Sequence, residues 1–268
     1  MKKILAAAGA VVVAFGAYAA PIATHAASPA LVPLSRIQPG DLIRGQTFSA
    51  VYYYGVDGFR YVFPNDKTYF TWYADFSTVK FISDTDLQTI QIGGNVTYKP
   101  GVRMIKINSD PKTYAVDAGG TLRWVASEQA ATALYGSDWN KMIDDVPDAF
   151  FPNYKQGGAD IEQASDFDKA NAEAEATDIG RDKDLKAPVA VSATDAGFSP
   201  ATVTVTVKTP VKFTNNGTAN HAATGDDLSW GTGTMKPGQS FEHYFKKAGT
   251  YTYSDTLYPN LKGTIVVQ

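Results

Sequence analysis

Apolar and polar positions along the chain change rhythm three times. Over 31–154 short alternating runs, rich in aromatics, are cut by Gly, Pro, Asn and Asp. Each such run has the period-two pattern of a strand, and each break has turn chemistry. "VDG" at Gly58 and "AGG" at Gly119 predict hairpin turns, and "GGNVTYKPGVRMIKI" predicts a strand pair around a Pro-Gly turn. Helical spacing follows each hairpin. In the second case Ser127 caps "EQAATALYG" and Gly136 stops it. Residues 51–87 can be laid over 113–150 at an offset of about 63, which pairs Arg60 with Arg123, Tyr61 with Trp124 and Asp75-Phe76 with Asp138-Trp139. An α+β domain of duplicated hairpin-plus-helix units is expected over 31–154.

Over 155–186 the chain is charged and Ala-rich, with hardly any large apolar residue, and reads as a linker with some helical tendency. Alternation returns over 187–268. Seven strands are expected, at 189–193, 201–207, 210–215, 220–224, 240–245, 250–254 and 263–268, a spacing that suits a Greek-key β-sandwich. The fold class is mainly β. The first 26 residues have two lysines, an apolar stretch from Ile4 to Phe15 and small residues around Ala17-Tyr18-Ala19, the pattern of a cleaved export signal. Cleavage near Ala26 fits as well. A retained membrane anchor is the alternative, and it would be the only membrane contact.

Composition narrows the chemistry. The chain of 268 residues has no cysteine, which removes disulfides, thiolate nucleophiles and sulfur-ligated metals. Of three histidines His25 lies in the export segment, leaving His221 and His243, the latter expected on a strand surface or edge. The formal charge of −3 becomes about −5 without Lys2 and Lys3, and no basic patch argues for nucleic acid. Asp144, Asp145 and Asp148 lack the spacing of a calcium loop and suit turn and cap duty. No nucleophile–base pair stands out, so no catalytic residue is assigned and an enzyme is not expected; two facing carboxylates in a deep pocket would point to a glycan hydrolase instead.

The aromatic run at 51–73 carries Tyr52, Tyr54, Phe70, Trp72 and Tyr73. Two readings stand: a partner or glycan surface on which sugar rings stack, or the faces of a small core. The stretch Tyr53, Asp57, Gly58, Arg60, Tyr61, Val62, Phe63, Pro64, followed by Asp75, Phe76 and Val79, resembles repeats of uncharacterised bacterial surface proteins. That resemblance implies an envelope setting and no catalytic residue.

The stretches "GFSPATVTV", "VKFTNNGTANH", "KPGQSFEHYF", "GTYTY" and "YPNLKGTIVV" resemble cupredoxins of the plastocyanin-like kind across 187–268. The resemblance implies a type 1 copper site held by His, Cys, His and Met. Those positions here are His221, Asp255, Tyr258 and Leu261, so one ligand of four remains. A blue-copper centre needs a thiolate. The expectation is therefore no cofactor and no metal, with His221, Asp255 and Tyr258 close together as a polar cluster. A weak zinc or copper(II) site is the alternative for the pocket. For the chain, an exported, non-enzymatic protein at the cell surface that binds a protein or a cell-wall glycan is expected. Its rivals are a copper electron carrier and a surface-layer subunit.

Overall fold

The computed structural model describes residues 29–268; the export segment expected over 1–26 lies outside them. Among the described residues no helix is long and apolar enough to cross a membrane. Strands dominate and form four sheets.

The first sheet contains β1 (Leu42–Arg44), β2 (Tyr52–Tyr54), β3 (Arg60–Val62), β4 (Lys80–Phe81) and β5 (Ile92–Asn95). Their order is β4-β1-β2-β3-β5, with β4 parallel to β1 and β5 parallel to β3. The β2–β3 turn passes through Gly58 at φ 86°, a conformation that costs an L side chain and not glycine. Between β3 and β4 runs α1 (Asp66–Trp72), which Asn65 caps by accepting the Thr68 N–H at 2.8 Å. Between β4 and β5 runs α2 (Asp84–Thr89), capped by Ser83.

The second sheet has the same connectivity. β6 (Met104–Ile107), β7 (Asp110–Asp117) and β8 (Thr121–Trp124) form an antiparallel meander. After α3 (Glu128–Tyr135), β9 (Ile143–Asp145) returns parallel to β6. Parallel bridges Thr121↔Lys155 and Val125↔Ile161 flank β8 as β5 flanks β3.

Residues 155–186 are not a solvated linker. They hold α4 (Lys169–Glu175) and α5 (Ile179–Asp182), and their few large apolar side chains are all consumed in packing. Ile161 and Phe167 join the core around Met104 and Val125. Ile179 joins the core around Tyr53 and Tyr61. Burying each contributes about 1.5–3 kcal/mol. On α5, Asp182 accepts the Gly119 N–H at 2.7 Å, while the Gly180 N–H donates to the Tyr53 hydroxyl at 3.1 Å. The segment therefore holds both sheets.

The C-terminal part is a sandwich of eight strands, one more than expected. One sheet runs β11 (Gly197–Ser199), β10 (Val189–Thr194), β13 (Pro210–Asn215) and β15 (Ser240–Tyr244). The other runs β12 (Thr202–Val205), β17 (Lys262–Val267), β16 (Gly249–Ser254) and β14 (Thr224–Gly225). Inward residues of both sheets, including Val211, Phe213, Tyr253 and Ile265, make one core. The extra strand is β11, which the Asp195–Ala196 turn folds back on β10. The strand expected at 220–224 shortens to β14, because its first half crosses to Met235, with N–H···O bonds both ways at 3.1 and 2.8 Å.

The first sheet and the sandwich share a seam. Buried Asp57 accepts the Tyr61 hydroxyl at 2.5 Å, the Phe59 N–H at 3.2 Å and the Tyr244 hydroxyl. Phe59 stacks on Tyr244 with centroids 4.8 Å apart.

Candidate functional site

Loops of the sandwich bring His221 and Asp255 together. His221 lies in the second half of the β13–β14 connection, and Asp255 follows the last residue of β16. Both are buried, at 1% and 0% exposure. Asp255 Oδ2 lies 2.7 Å from His221 Nδ1, while its Oδ1 accepts the N–H groups of Ala222 at 3.2 Å and Leu257 at 2.8 Å. The other ring nitrogen, Nε2, lies 3.0 Å from Asp195 Oδ1. The imidazole is thus held between two carboxylates.

Asp195 was absent from the sequence-based set. It sits in the β10–β11 turn, and its carboxylate also accepts the N–H groups of Thr218 and Ala219, both at 3.1 Å, and the Thr218 hydroxyl at 2.7 Å. These bonds, that of the Thr218 hydroxyl first and that of His221 next, hold its pKa well below the usual carboxylate range. Burial alone would push the His221 pKa down, but the hydrogen bonds that its ring makes to Asp255 and then to Asp195 outweigh it and raise the pKa above the ordinary histidine value. Gly217 makes room for the cluster: a Cβ there would stand 2.5 Å from Asp195 Oδ1 and 2.8 Å from His221 Nε2.

Tyr258 is 45% exposed, its ring tilted at 5.3 Å from the imidazole, and its hydroxyl is no part of the cluster. Leu261 packs against the sandwich core, and its backbone brackets the loop through Asp255 N–H to Leu261 C=O at 3.0 Å. These four positions do not fit a type 1 copper ion. The one imidazole spends both nitrogens on carboxylates, leucine coordinates nothing, and no sulfur is available to give the thiolate bond. Among the described residues no group of three or more metal-binding side chains is arranged around a common point.

The five aromatics named from sequence fall into separate surroundings. Tyr52 and Tyr54 share one face of β2, against the core of Ile37, Ile43 and Ile82, because a strand alternates its faces and sends Tyr53 to the other side. Trp72 and Tyr73 pack on that other side, and the Trp72 indole N–H is spent on the Thr97 carbonyl at 2.8 Å. Phe70 faces outward at 50% exposure, beside Phe76. One continuous stacking surface of all five is not formed.

The acidic trio is also divided. Asp144 does no turn or cap duty: it is buried, 2.5 Å from Arg103 Nε and 3.0 Å from Lys67 Nζ, so it ties α1 to the second sheet. Burial would raise its pKa, but the bonds from Arg103 and Lys67 lower it on balance. Asp145 pairs with Lys106 at 3.1 Å, and Asp148 opens a short 3-10 helix. His243 lies on edge strand β15 and stacks on Trp230 with centroids 5.0 Å apart.

Residues 167–267 match the family model of a cupredoxin-like domain. No curated protein matches the chain. Among solved structures, a purple cupredoxin from Nitrosopumilus maritimus is 21% identical over 30% of this chain and 99% of that one, with a TM-score of 0.28. A copper-containing nitrite reductase from Thermus scotoductus SA-01 is 26% identical over 31% of this chain and 23% of its own, with a TM-score of 0.30. An oxidized mutant of amicyanin is 23% identical over 30% and 82%, with a TM-score of 0.29.

Proposed function

We infer that this chain, whose C-terminal part is a cupredoxin-like domain, is an exported, non-enzymatic binding or scaffolding protein of the cell envelope that has exchanged its copper site for a structural ion cluster. The observation that supports this is the double engagement of His221. Its Nδ1 and Nε2 are both within 3.0 Å of carboxylates, which leaves no lone pair directed at open space. In place of a bound ion, Asp255 joins the His221 loop to the last loop of the sandwich through two hydrogen bonds, to the His221 ring and from the Ala222 N–H, and accepts the Leu257 N–H within its own loop. A domain stapled in this way is suited to presenting surfaces and has no redox centre to present.

Titration of the purified protein with copper(II), followed by visible absorbance and equilibrium dialysis, tests this. The expected outcome is no intense charge-transfer band and no stoichiometric tight binding. An ion bound tightly one-to-one and lost in His221→Ala overturns the proposal.

A further inference from the structure

Beside the seam, the first sheet and the sandwich enclose an open groove of about 730 Å³. One wall is α2 with Tyr54 of β2; the other is β15 with the loop before it. The walls are fixed relative to each other. Gln91 grips the free edge of β15 with both ends of its amide: Nε2 donates to the Glu242 carbonyl at 3.1 Å, and Oε1 accepts the Glu242 N–H at 2.7 Å. Such a groove needs no reorganisation before a ligand enters.

Its chemistry excludes several ligands. The one ion pair on its surface, Lys212 with Glu242 at 3.1 Å, is internally neutral, so neither a phosphate nor a cation finds an unpaired opposite charge. An added peptide strand would need the outward N–H and C=O of β15, and Gln91 already occupies those of Glu242 at its middle. What remains is a half-buried ring on each side, Tyr54 and Phe241, and exposed amides in Gln88 and Gln239. Flat apolar rings suit the C–H faces of pyranoses, and amides both donate to and accept from hydroxyls. Glu242, 9% exposed, supplies a carboxylate that only Lys212 engages.

We propose that this groove binds a neutral oligosaccharide, stacked on Tyr54 and Phe241 and hydrogen-bonded to Gln88, Gln239 and the Lys212–Glu242 pair. This deepens the binding role proposed above; copper titration tests the loss of the metal site separately, so either conclusion can fail without the other. The experiment is calorimetric titration of the whole protein with cellohexaose, maltohexaose and hexa-N-acetylchitohexaose. Saturable one-to-one binding of at least one sugar is expected. Gln88→Ala and Phe241→Ala should each weaken it about five-fold or more, the loss of one contact, whereas Phe70→Ala should leave it unchanged. Melting curves show that each variant is folded. No binding of any of the three at millimolar sugar overturns the proposal, and so does binding that both groove variants leave intact.

Discussion

Replacing Asp255 tests whether the buried His221 cluster stabilises the sandwich through charge or only through shape. Asp255→Ala removes the acceptor of two backbone N–H groups and of His221 Nδ1 at a buried position. Removing one partner of a buried, hydrogen-bonded pair costs about 3–5 kcal/mol. At about 2–4 °C per kcal/mol for a domain of this size, melting should fall by roughly 6–20 °C. Asp255→Asn keeps an oxygen for the two N–H groups and loses only the charge, so about 1–2 kcal/mol is expected, the difference between a charged and a neutral hydrogen bond. The pH dependence separates the two effects. The folded pKa of His221 is raised, so its charged form adds stability fully below about pH 6.5, and that stability is lost as pH rises through the folded value. Asp195 is depressed, so its share is present above about pH 3.9 and is lost as pH falls through its lower folded value. The gap between wild type and Asp255→Asn should therefore be widest near pH 4–6 and narrow above neutrality. Urea unfolding followed by tryptophan fluorescence at pH 5, 7 and 9 measures it. A gap that is flat with pH, or widest at pH 9, refutes the charged cluster.

Gly217→Ala should force Asp195 and His221 apart and cost about 1–3 kcal/mol, with the His221 pKa falling in an NMR titration. Ile179→Ala empties a fully buried position in the segment joining the two sheets, and chemical denaturation should show about 2–5 kcal/mol lost. Tyr244→Phe deletes one donor to buried Asp57 across the seam while keeping the stacked ring; about 1.5–3 kcal/mol should be lost in the same assay.

The sandwich was legible because its strands alternate and its turns carry Gly, Pro and Asn, and six of the expected strand positions hold an observed strand within a few residues. β11 escaped because three residues are too few for a period to register. The packed segment at 155–186 escaped for a different reason. Ile161, Phe167 and Ile179 are diluted by charges and belong to no single amphipathic face, so average composition reads as solvated although each side chain is a core residue. His221 and Asp255 could be paired through the family resemblance alone. Asp195 could not: it reaches His221 only because β10 lies parallel to β13, which sets its turn against the Thr218 loop. Asp144 likewise looked like a turn residue because its partners, Lys67 and Arg103, are remote in sequence.

An aspartate at position 255 does something for the fold that a metal-binding thiolate would not do once the metal was gone. Sulfur is a weak acceptor, whereas a carboxylate has room for several donors. Asp255 uses that capacity on Ala222, Leu257 and His221, which belong to the two loops that a bound ion would otherwise draw together. The second carboxylate, Asp195, then takes the remaining imidazole nitrogen, so the ring can carry its proton without leaving a buried charge unbalanced. Loop closure at this end of the sandwich rests on hydrogen bonding. The seam through Asp57 and Gln91 uses the loop before β3, the residue before β5 and strand β15. The groove against the first sheet is held by these seam contacts, Asp57 with Tyr244 and Gln91 with Glu242, and not by the Asp255 carboxylate.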